Sequence, residues 1–441
     1  MKGLIRVFKV PELKRKILFT LGLIAVFRVG AYIPIPGINA HALARFFESK
    51  SGTLFSLMNM FSGGAMKRAT VFALGIMPYI SAAIIIQLLT AVIPYFEKLA
   101  KEPDGRKKIT QYTRYGTVLL CLIQSLFIAS WLENPATFGG LQVVQFTGWS
   151  LRLLIMITLT AGTTFLMWLG ERITSGGIGN GISLIITAGI ISRIPPALNQ
   201  FIDLITPFGR EAQITPPTIL IMVIMLVGVI ISVILITQGQ RKIPVQYAKR
   251  IIGRKIYGGH STYIPLRVNQ AGVIPIIFAQ SVLLFPRTFA GFTQNRFLNT
   301  VANWLTSGHL VYTIVYSLLI IFFTYFYTAI VFRPQDVAQN LKRVGGFIPG
   351  IRPGRPTEHY FDYILGRITL PGAIFLAIIA VLPTLINAWL RIPYSIASFF
   401  GGTGILIIVG VMLDTVQQIE SHLVMRHYEG FMKKGRIKSR R

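Results

Sequence analysis

Long apolar stretches follow one another along most of the chain, and polar residues collect in the shorter segments between them. An apolar stretch of about 20 residues is long enough to cross the hydrocarbon core of a bilayer as a helix. Ten stretches reach that length, which predicts an all-α membrane protein with ten transmembrane helices. They span 17–36, 69–93, 112–131, 149–169, 181–199, 216–237, 268–289, 309–332, 368–388 and 398–416.

Two of the stretches carry the same interruption near their start. One reads Gly75-Ile76-Met77-Pro78, and the other reads Gly272-Val273-Ile274-Pro275. Each begins the second crossing of a five-crossing half, 17–205 or 206–416, and an odd number of crossings inverts the second half relative to the first. Matching breaks indicate an internal repeat with a pathway between its halves. Gly and Pro are also frequent in membrane helices as ordinary kinks, so both interpretations stand on these residues.

The charge is strongly one-sided. The net charge is +29, and 33 of the 44 Lys and Arg residues fall in the N-terminal segment, the C-terminal tail and every second loop. The positive-inside rule then predicts that both termini are cytoplasmic. The segments on this side are an amphipathic N-terminal segment 1–16, loops 94–114, 170–180, 238–267 and 333–367, and a basic tail 417–441.

Few ionisable groups fall inside the predicted crossings. The 15 Asp and Glu residues are nearly all in loops, and Arg28 is the one charge well inside a crossing. Ion-coupled carriers and intramembrane proteases need such groups at membrane depth. The single cysteine, Cys121, and six scattered histidines predict no metal or cofactor site. A passive conduit is therefore favoured, with a secondary transporter of an anionic solute as the alternative.

Segment 54–66 is apolar but too short to cross, and it ends at Gly63-Gly64. It is predicted either to fold back into the protein as a re-entrant stopper or to lie on the membrane as an interfacial helix. Isoleucines beside the helix breaks are candidates for a narrow waist that excludes ions by dewetting, although most membrane isoleucines face lipid or a neighbouring helix. The candidates are Ile80, Ile84, Ile182, Ile186, Ile274 and Ile277.

Loops 238–267 and 333–367 are rich in Arg, Gly and Pro. Such loops set membrane orientation and attract anionic lipids. Their length also suits the docking of an acidic partner such as ribosomal RNA, or of an ATP-driven motor.

Several blocks of sequence, in order, resemble one family. They include Phe27-Arg28-Val29-Gly30, Phe61-Ser62-Gly63-Gly64-Ala65, residues 73–80, Gly177-Ile178-Gly179-Asn180-Gly181 and Pro349-Gly350-Ile351-Arg352-Pro353-Gly354. Over nearly its whole length the chain resembles the SecY family, the central channel subunit of the Sec translocase, in its bacterial form. One departure is Pro244 in the first basic loop, where an aliphatic residue is expected.

The resemblance implies two inverted halves around an hourglass pore, with segment 54–66 as the plug. The implied plug residues are Phe61, Ser62, Gly63 and Gly64. The implied pore ring is Ile80, Ile84, Ile182, Ile186, Ile274, Ile277 and Ile407. The implied lateral gate is lined by Gln87, Gln124 and Gln280. The implied docking residues are Arg241, Lys249, Arg250, Arg254 and Arg352.

The resemblance also implies partners and a location. SecE and SecG would be membrane subunits, and the SecA ATPase or the ribosome would drive transport. Secretory and membrane proteins would be the substrates, and anionic lipids would surround the basic surface. Unfolded polypeptide would cross the plasma (inner) membrane, and apolar segments would leave sideways into lipid.

Overall fold

The protein is mostly helical in a computed structural model that describes most of the chain. The residues outside the description are 1–9, 50–58, 60–61, 103, 135–137, 139–141, 206–215, 248–249, 253–254, 258–260, 293–296, 298–299, 302–303, 306–308, 391, 393 and 435–441. The helices are α1 Pro11–Gly30, α2 Ala40–Ser49, α3 Met77–Val92, α4 Pro94–Lys101, α5 Gly105–Leu132, α6 Trp149–Gly176, α7 Gly181–Ile191, α8 Ile194–Ile205, α9 Pro216–Gln238, α10 Ile274–Phe292, α11 Leu310–Val331, α12 Pro334–Val344, α13 Arg355–Leu390, α14 Tyr394–Ala397 and α15 Thr403–Lys434. The strands are β1 Gln240–Tyr247, β2 Arg250–Ile252, β3 Lys255–Tyr257, β4 Ser261–Arg267 and β5 Gly346–Phe347.

Many of these helices are suited to a bilayer. Among the described residues, seven helical spans are long and apolar enough to cross, and eight if α3 and α4, which meet at 99°, form one broken span. The chain is therefore a multi-pass membrane protein, whereas the count of ten crossings stays a prediction. Several helices extend beyond their predicted crossings, because a helix can continue into polar residues after its apolar stretch has ended. Helix α13, for example, starts at Arg355 rather than near 368.

The chain forms two compact units. The first comprises Met1–Gln213, Thr288–Gln294 and Ile407–Arg441, and the second comprises Ile214–Arg287 and Asn295–Leu406. In the first unit α5 packs against α3 and α6, and α1 packs against α6 and α7.

Helix α6 shows how the apolar pattern builds the first unit. Leu151, Ile155 and Leu159 recur every four residues, so they lie on one helix face, and all three are fully buried. Lipid tails are as apolar as these side chains, so close packing rather than escape from water holds such a face in a membrane.

Glu133 joins the end of α5 to the start of α6. Its carboxylate accepts hydrogen bonds from the Gly148 backbone N–H at 3.0 Å and from Arg152 Nε at 2.7 Å. Burial alone would raise the pKa of this carboxyl, but the bonds from Arg152 and Gly148 outweigh burial and hold its pKa below the ordinary 4.5. The ionised form of Glu133 therefore stabilises this connection.

The two long basic loops are folded rather than irregular. Strands β1 and β4 of the first pair antiparallel from Gln240↔Arg267 to Gln246↔Ser261, and β5 of the second pairs with the other edge of β1. Ile243 and Val245 of β1 are buried in a common core with residues of β4, α12 and α13. The two segments thus form one structure within the second unit.

Pro244, the residue that departs from the family pattern, fits this sheet. It lies opposite Tyr263 of β4, between the buried Ile243 and Val245. Strand β5 pairs only with Gln246 and Tyr247, so among the described strands β1 has no second partner at Pro244. Proline is tolerated at such an edge because it has no N–H to donate.

Candidate functional site

The two matched sequence breaks adopt the same backbone conformation. Gly75 has a φ of 59° and Gly272 a φ of 60°, a left-handed region that glycine enters without steric cost. Two residues later a helix begins, and its second residue is Pro78 in α3 or Pro275 in α10. Proline suits the first helical turn, where its missing N–H has no helical partner to lose.

These breaks are helix starts and not kinks inside a helix. The helices therefore start later than the predicted crossings 69–93 and 268–289, because α3 starts only at Met77 and α10 at Ile274. The chain before α3 forms turns that are held by backbone hydrogen bonds, such as Gly75 N–H to Phe72 O at 2.8 Å. Continuous hydrophobicity concealed this turn from a count of apolar residues.

The candidate ring isoleucines follow such helix starts. Ile80 and Ile84 share one face of α3, because residues four apart are neighbours on a helix, and both are buried. Ile186, Ile277 and Ile407 are also buried, whereas Ile182 and Ile274 are partly exposed. Their assembly into one ring stays a prediction.

The start of α7 has its own cap. The Asn180 side-chain oxygen accepts hydrogen bonds from the backbone N–H groups of Ile182 at 3.1 Å and Ser183 at 3.2 Å. Such caps satisfy donors that have no partner inside the helix. The backbone of Gly181 also lies directly against that of Gly170 in α6, where a Cβ would overlap the Gly170 carbonyl. The Asn180 cap and the contact between Gly181 and Gly170 together fix the start of α7, and therefore the direction in which the side chains of Ile182 and Ile186 project.

The described part of the predicted plug is a buried turn. Of segment 54–66, Phe61 and the residues before it other than Asn59 lie outside the described residues. Ser62 is 1% exposed, and its hydroxyl accepts a hydrogen bond from Met66 N–H at 3.2 Å. Asn59 accepts from Gly64 N–H at its backbone carbonyl and from Lys67 N–H at its side chain, both at 2.9 Å. This burial favours the re-entrant interpretation for these residues.

The Gly63 carbonyl accepts from two other helices. Arg28 Nη1 of α1 lies 3.4 Å from this oxygen, and Ser192 Oγ, just after α7, lies at the same distance of 3.4 Å. Arg28 Nη2 also donates to the Tyr32 hydroxyl at 3.1 Å, and the Arg68 guanidinium carbon lies 4.1 Å from the Tyr32 ring centroid. The sequence marked Arg28 as an unusual interior charge but gave it no partner, and it gave no signal for Ser192.

The three candidate gate glutamines differ in their surroundings. Gln87 in α3 and Gln124 in α5 are half-buried, on two helices that pack against each other. Gln280 in α10 donates weakly to Thr403 Oγ1 at 3.5 Å, and its side-chain oxygen is buried without a hydrogen-bond partner among the described residues. Leaving a buried acceptor unpaired costs about 1–3 kcal/mol. A gate lined by all three stays a prediction.

The candidate docking residues lie on the folded basic region. Arg241 in β1 and Arg352 are exposed, and both belong to the second unit. Gly350 and Gly354, with φ of 83° and 108°, turn the chain on either side of Arg352, and the Arg352 carbonyl accepts from Thr357 Oγ1 at 2.9 Å. Lys249 and Arg254 lie outside the described residues, and Arg250 is a residue of β2.

Two solved structures are similar to the chain in fold. A protein-conducting channel matches with a TM-score of 0.64 at 18% identity, covering 96% of this chain and 94% of that one. Sec61 in the canine ribosome–channel complex from the endoplasmic reticulum matches with a TM-score of 0.61 at 17% identity, with the same coverage of 96% and 94%. At these identities the likeness shows the fold alone, a fold that one protein-conducting channel also has.

Sequence comparison narrows this class to a family. The SecY family model matches residues 70–416. Protein translocase subunit SecY of Aquifex aeolicus is 45% identical over 429 residues, covering 97% of this chain and 98% of that protein. The SecY subunits of Escherichia coli strain K12 and Streptomyces galbus are 45% and 48% identical, also over 97% of this chain, with 95% and 99% of their own lengths covered. The chain belongs to the SecY family, which confirms the resemblance seen in the sequence.

Proposed function

We propose that this protein is the channel-forming subunit of a translocase that passes unfolded polypeptides across the plasma (inner) membrane. Its curated relatives are named as translocase subunits, and its fold is shared with a protein-conducting channel. The observation that carries the proposal is the pair of helix starts at Gly75 and Gly272, with φ of 59° and 60°. Each helix start is followed within its first turns by a pair of isoleucines, Ile80 and Ile84 in α3 and Ile274 and Ile277 in α10, as a repeated channel lining requires.

The proposed waist is an aliphatic collar. Branched apolar side chains around a narrow opening exclude water and ions, since neither gains hydrogen bonds or charge compensation there. The same side chains yield to a passing polypeptide because they make no directional bonds with it. The members are Ile80, Ile84, Ile182, Ile186, Ile274, Ile277 and Ile407, and five of them are buried.

The lateral gate would release apolar segments into lipid. Each Leu, Ile, Phe or Val gains about 0.3–0.6 kcal/mol at the centre of a membrane helix. A segment with ten such residues therefore gains several kcal/mol by leaving, whereas a polar segment gains nothing. Gln87, Gln124 and Gln280 would give the gate a polar lining through which a passing segment can sample the lipid.

Transport would be driven from outside the chain, by the ribosome or by an ATPase such as SecA, with SecE and SecG as membrane subunits. The exposed Arg352 turn and Arg241 offer positive charge on a folded support, which suits phosphate or carboxylate groups of a partner. A structural neighbour of this chain is a channel bound to a ribosome. We propose that both termini and the basic tail are cytoplasmic, with ten crossings between the termini.

Family membership does not favour the alternative of an anionic-solute transporter. Solute counterflow by the purified chain in proteoliposomes would be the measurement in its support.

A stalled secretory chain tests the channel directly. A photo-crosslinking residue at Ile80 or Ile277 should capture the stalled chain, because both positions belong to the proposed collar. A matched probe at Ile157 of α6, which is 67% exposed, should capture lipid and not polypeptide. Crosslinks at Ile157 with none at Ile80 or Ile277 would reject the collar.

A further inference from the structure

The Gly63 turn is held at a single point by Arg28 of α1 and by Ser192, which follows α7. Its carbonyl lies 3.4 Å from both Arg28 Nη1 and Ser192 Oγ. Each distance is at the long end for a hydrogen bond, so neither contact alone is strong. One oxygen that accepts from α1 and from the residue after α7 is nevertheless a specific arrangement, because a movement of the turn away from both breaks both bonds.

The backbone of the turn is also packed tightly against the backbone of α7 at Gly63. A Cβ at Gly63 would lie 2.8 Å from Gly189 Cα of α7, closer than real Cβ contacts come. Gly63 also has a φ of 65°, which disfavours any other residue. At the adjacent Gly64, with a φ of 88°, a Cβ would meet nothing within 4 Å. Two neighbouring glycines therefore share a backbone requirement, but only Gly63 is in tight contact with α7.

The two donors differ in what they lose when the turn leaves. Ser192 Oγ already bonds to the Gly189 carbonyl at 2.7 Å, so it keeps a partner. Arg28 would keep Tyr32, through its hydroxyl and through its ring, whose centroid lies 5.2 Å from the guanidinium carbon. Among the described residues no carboxylate forms an ion pair with Arg28. A guanidinium has five N–H donors and is costly at membrane depth without acceptors. Arg28 therefore favours the docked turn more strongly than Ser192 does.

We propose that Arg28 and Ser192, with the bare backbone of Gly189, form a latch that holds the Gly63 turn in its docked position. The latch sets how readily this turn leaves, and it rests on the proposed function, in which segment 54–66 closes the conduit. Three parts of the chain that are far apart in sequence meet in this latch: α1, the Gly63 turn and the end of α7.

Cysteine labelling measures release of the turn. In a full-length Cys121→Ser chain carrying Ser62→Cys, the new thiol replaces a side chain that is 1% exposed, so a membrane-impermeant maleimide should react slowly. Arg28→Met should speed labelling about tenfold, the scale of one lost hydrogen bond to a charged group. Arg28→Lys should label at a rate between those of the parent and Arg28→Met, because lysine keeps the charge but not the second donor group. Ser192→Ala should speed labelling about twofold.

Matched variants separate the latch from general loosening. Ser232→Ala removes a hydroxyl whose bond, to the Gly228 carbonyl at 2.7 Å, is within its own helix, and labelling should not change. Gly63→Ala should speed labelling more than Gly64→Ala. The native Cys121, fully buried, reports unfolding in parallel chains without Ser62→Cys, and it should stay unreactive in every variant.

The outcomes distinguish the latch from the channel. Faster labelling in Arg28→Met and Ser192→Ala, with Cys121 still unreactive, supports the latch. Unchanged labelling in both variants, in a parent chain that transports polypeptide, overturns the latch and leaves the channel standing. Faster labelling that is always matched by Cys121 also overturns it, because the variants have then loosened the whole fold. A parent chain that transports no polypeptide overturns the proposed function whatever the labelling rates.

Discussion

Gly162 of α6 is a position where one methyl group should disturb the chain that leads into α3. A Cβ there would overlap the carbonyl oxygen of Val71 and lie 2.8 Å from Val71 Cγ1. The overlap is with backbone, which cannot rotate away as a side chain can. Restoring an ordinary contact of 3.4 Å or more would move one segment by about 1 Å. Phe72, the next residue, stacks on Phe27 and Phe165, each at 6.1 Å, so the segment has little room to move.

The magnitude follows from two opposing effects. Overpacking a well-filled site costs about 1–3 kcal/mol. Replacing Gly by Ala inside a helix gains about 0.5–1 kcal/mol. Because the obstacle is backbone, we expect the upper end of the cost and a net destabilisation of about 1–2 kcal/mol for Gly162→Ala. Gly228→Ala in α9, where a Cβ would meet nothing within 4 Å, should leave the stability unchanged or raised.

The buried Cys121 supplies the assay. A fluorogenic maleimide reacts with this thiol as the purified protein unfolds on heating in detergent, so its signal gives an unfolding temperature. Gly162→Ala should unfold at a lower temperature than the parent, and Gly228→Ala at the same or a higher one. Equal unfolding temperatures for the two variants would refute the argument that α6 contacts the Val71 backbone this closely.

Three further outcomes are expected. Replacing Ile80, Ile84 and Ile277 together by Gly should raise the resting ion conductance in planar bilayers, because the collar would admit water. Arg352→Glu should impair motor- or ribosome-driven transport while leaving the unfolding temperature unchanged, since Arg352 is exposed. Glu133→Gln should lower the stability at pH 7; because the pKa of Glu133 is depressed in the folded state, its contribution is present above about pH 4.5 and is lost as pH falls through the folded value. The difference in unfolding temperature between the parent and Glu133→Gln should therefore shrink on acidification.

Each outcome has its control. For the collar, a single Ile157→Gly on an exposed face of α6 should leave the conductance low; an unchanged conductance in the triple variant would count against the seal. For docking, Arg343→Glu is the control, because it makes the same charge change on α12. Normal transport by Arg352→Glu would reject a docking role for Arg352. For Glu133, a difference from the Gln variant that stays constant down to pH 3 would mean that its charge does not stabilise the fold.

Much of the helical fold could be predicted from hydrophobicity, because a crossing helix needs a long apolar stretch and little else. The breaks at Gly75 and Gly272 were visible in the sequence as motifs, but the sequence did not show that each is a turn followed by a helix start. An apolar turn buried in protein has the same composition as an apolar helix, so only backbone geometry distinguishes the two.

Contacts between distant parts of the chain were harder to predict. Strand β5 has two residues, and its partner β1 lies about a hundred residues earlier, so neither segment alone indicates a shared sheet. The partner of Arg28 was hidden for a similar reason, since it is a backbone carbonyl 35 residues away. A carbonyl is present at every position and leaves no mark in a sequence.

Helix α13 runs without a break for 36 residues from just after the Arg352 turn, with Pro371 and Pro383 inside it. At about 1.5 Å per residue this helix is roughly 54 Å long. A tilt of about 5° at the exposed end would sweep the far end through roughly 5 Å, the pitch of one helical turn. A displacement of the Arg352 turn would thus move the far end of α13 directly, because a single continuous helix joins the two.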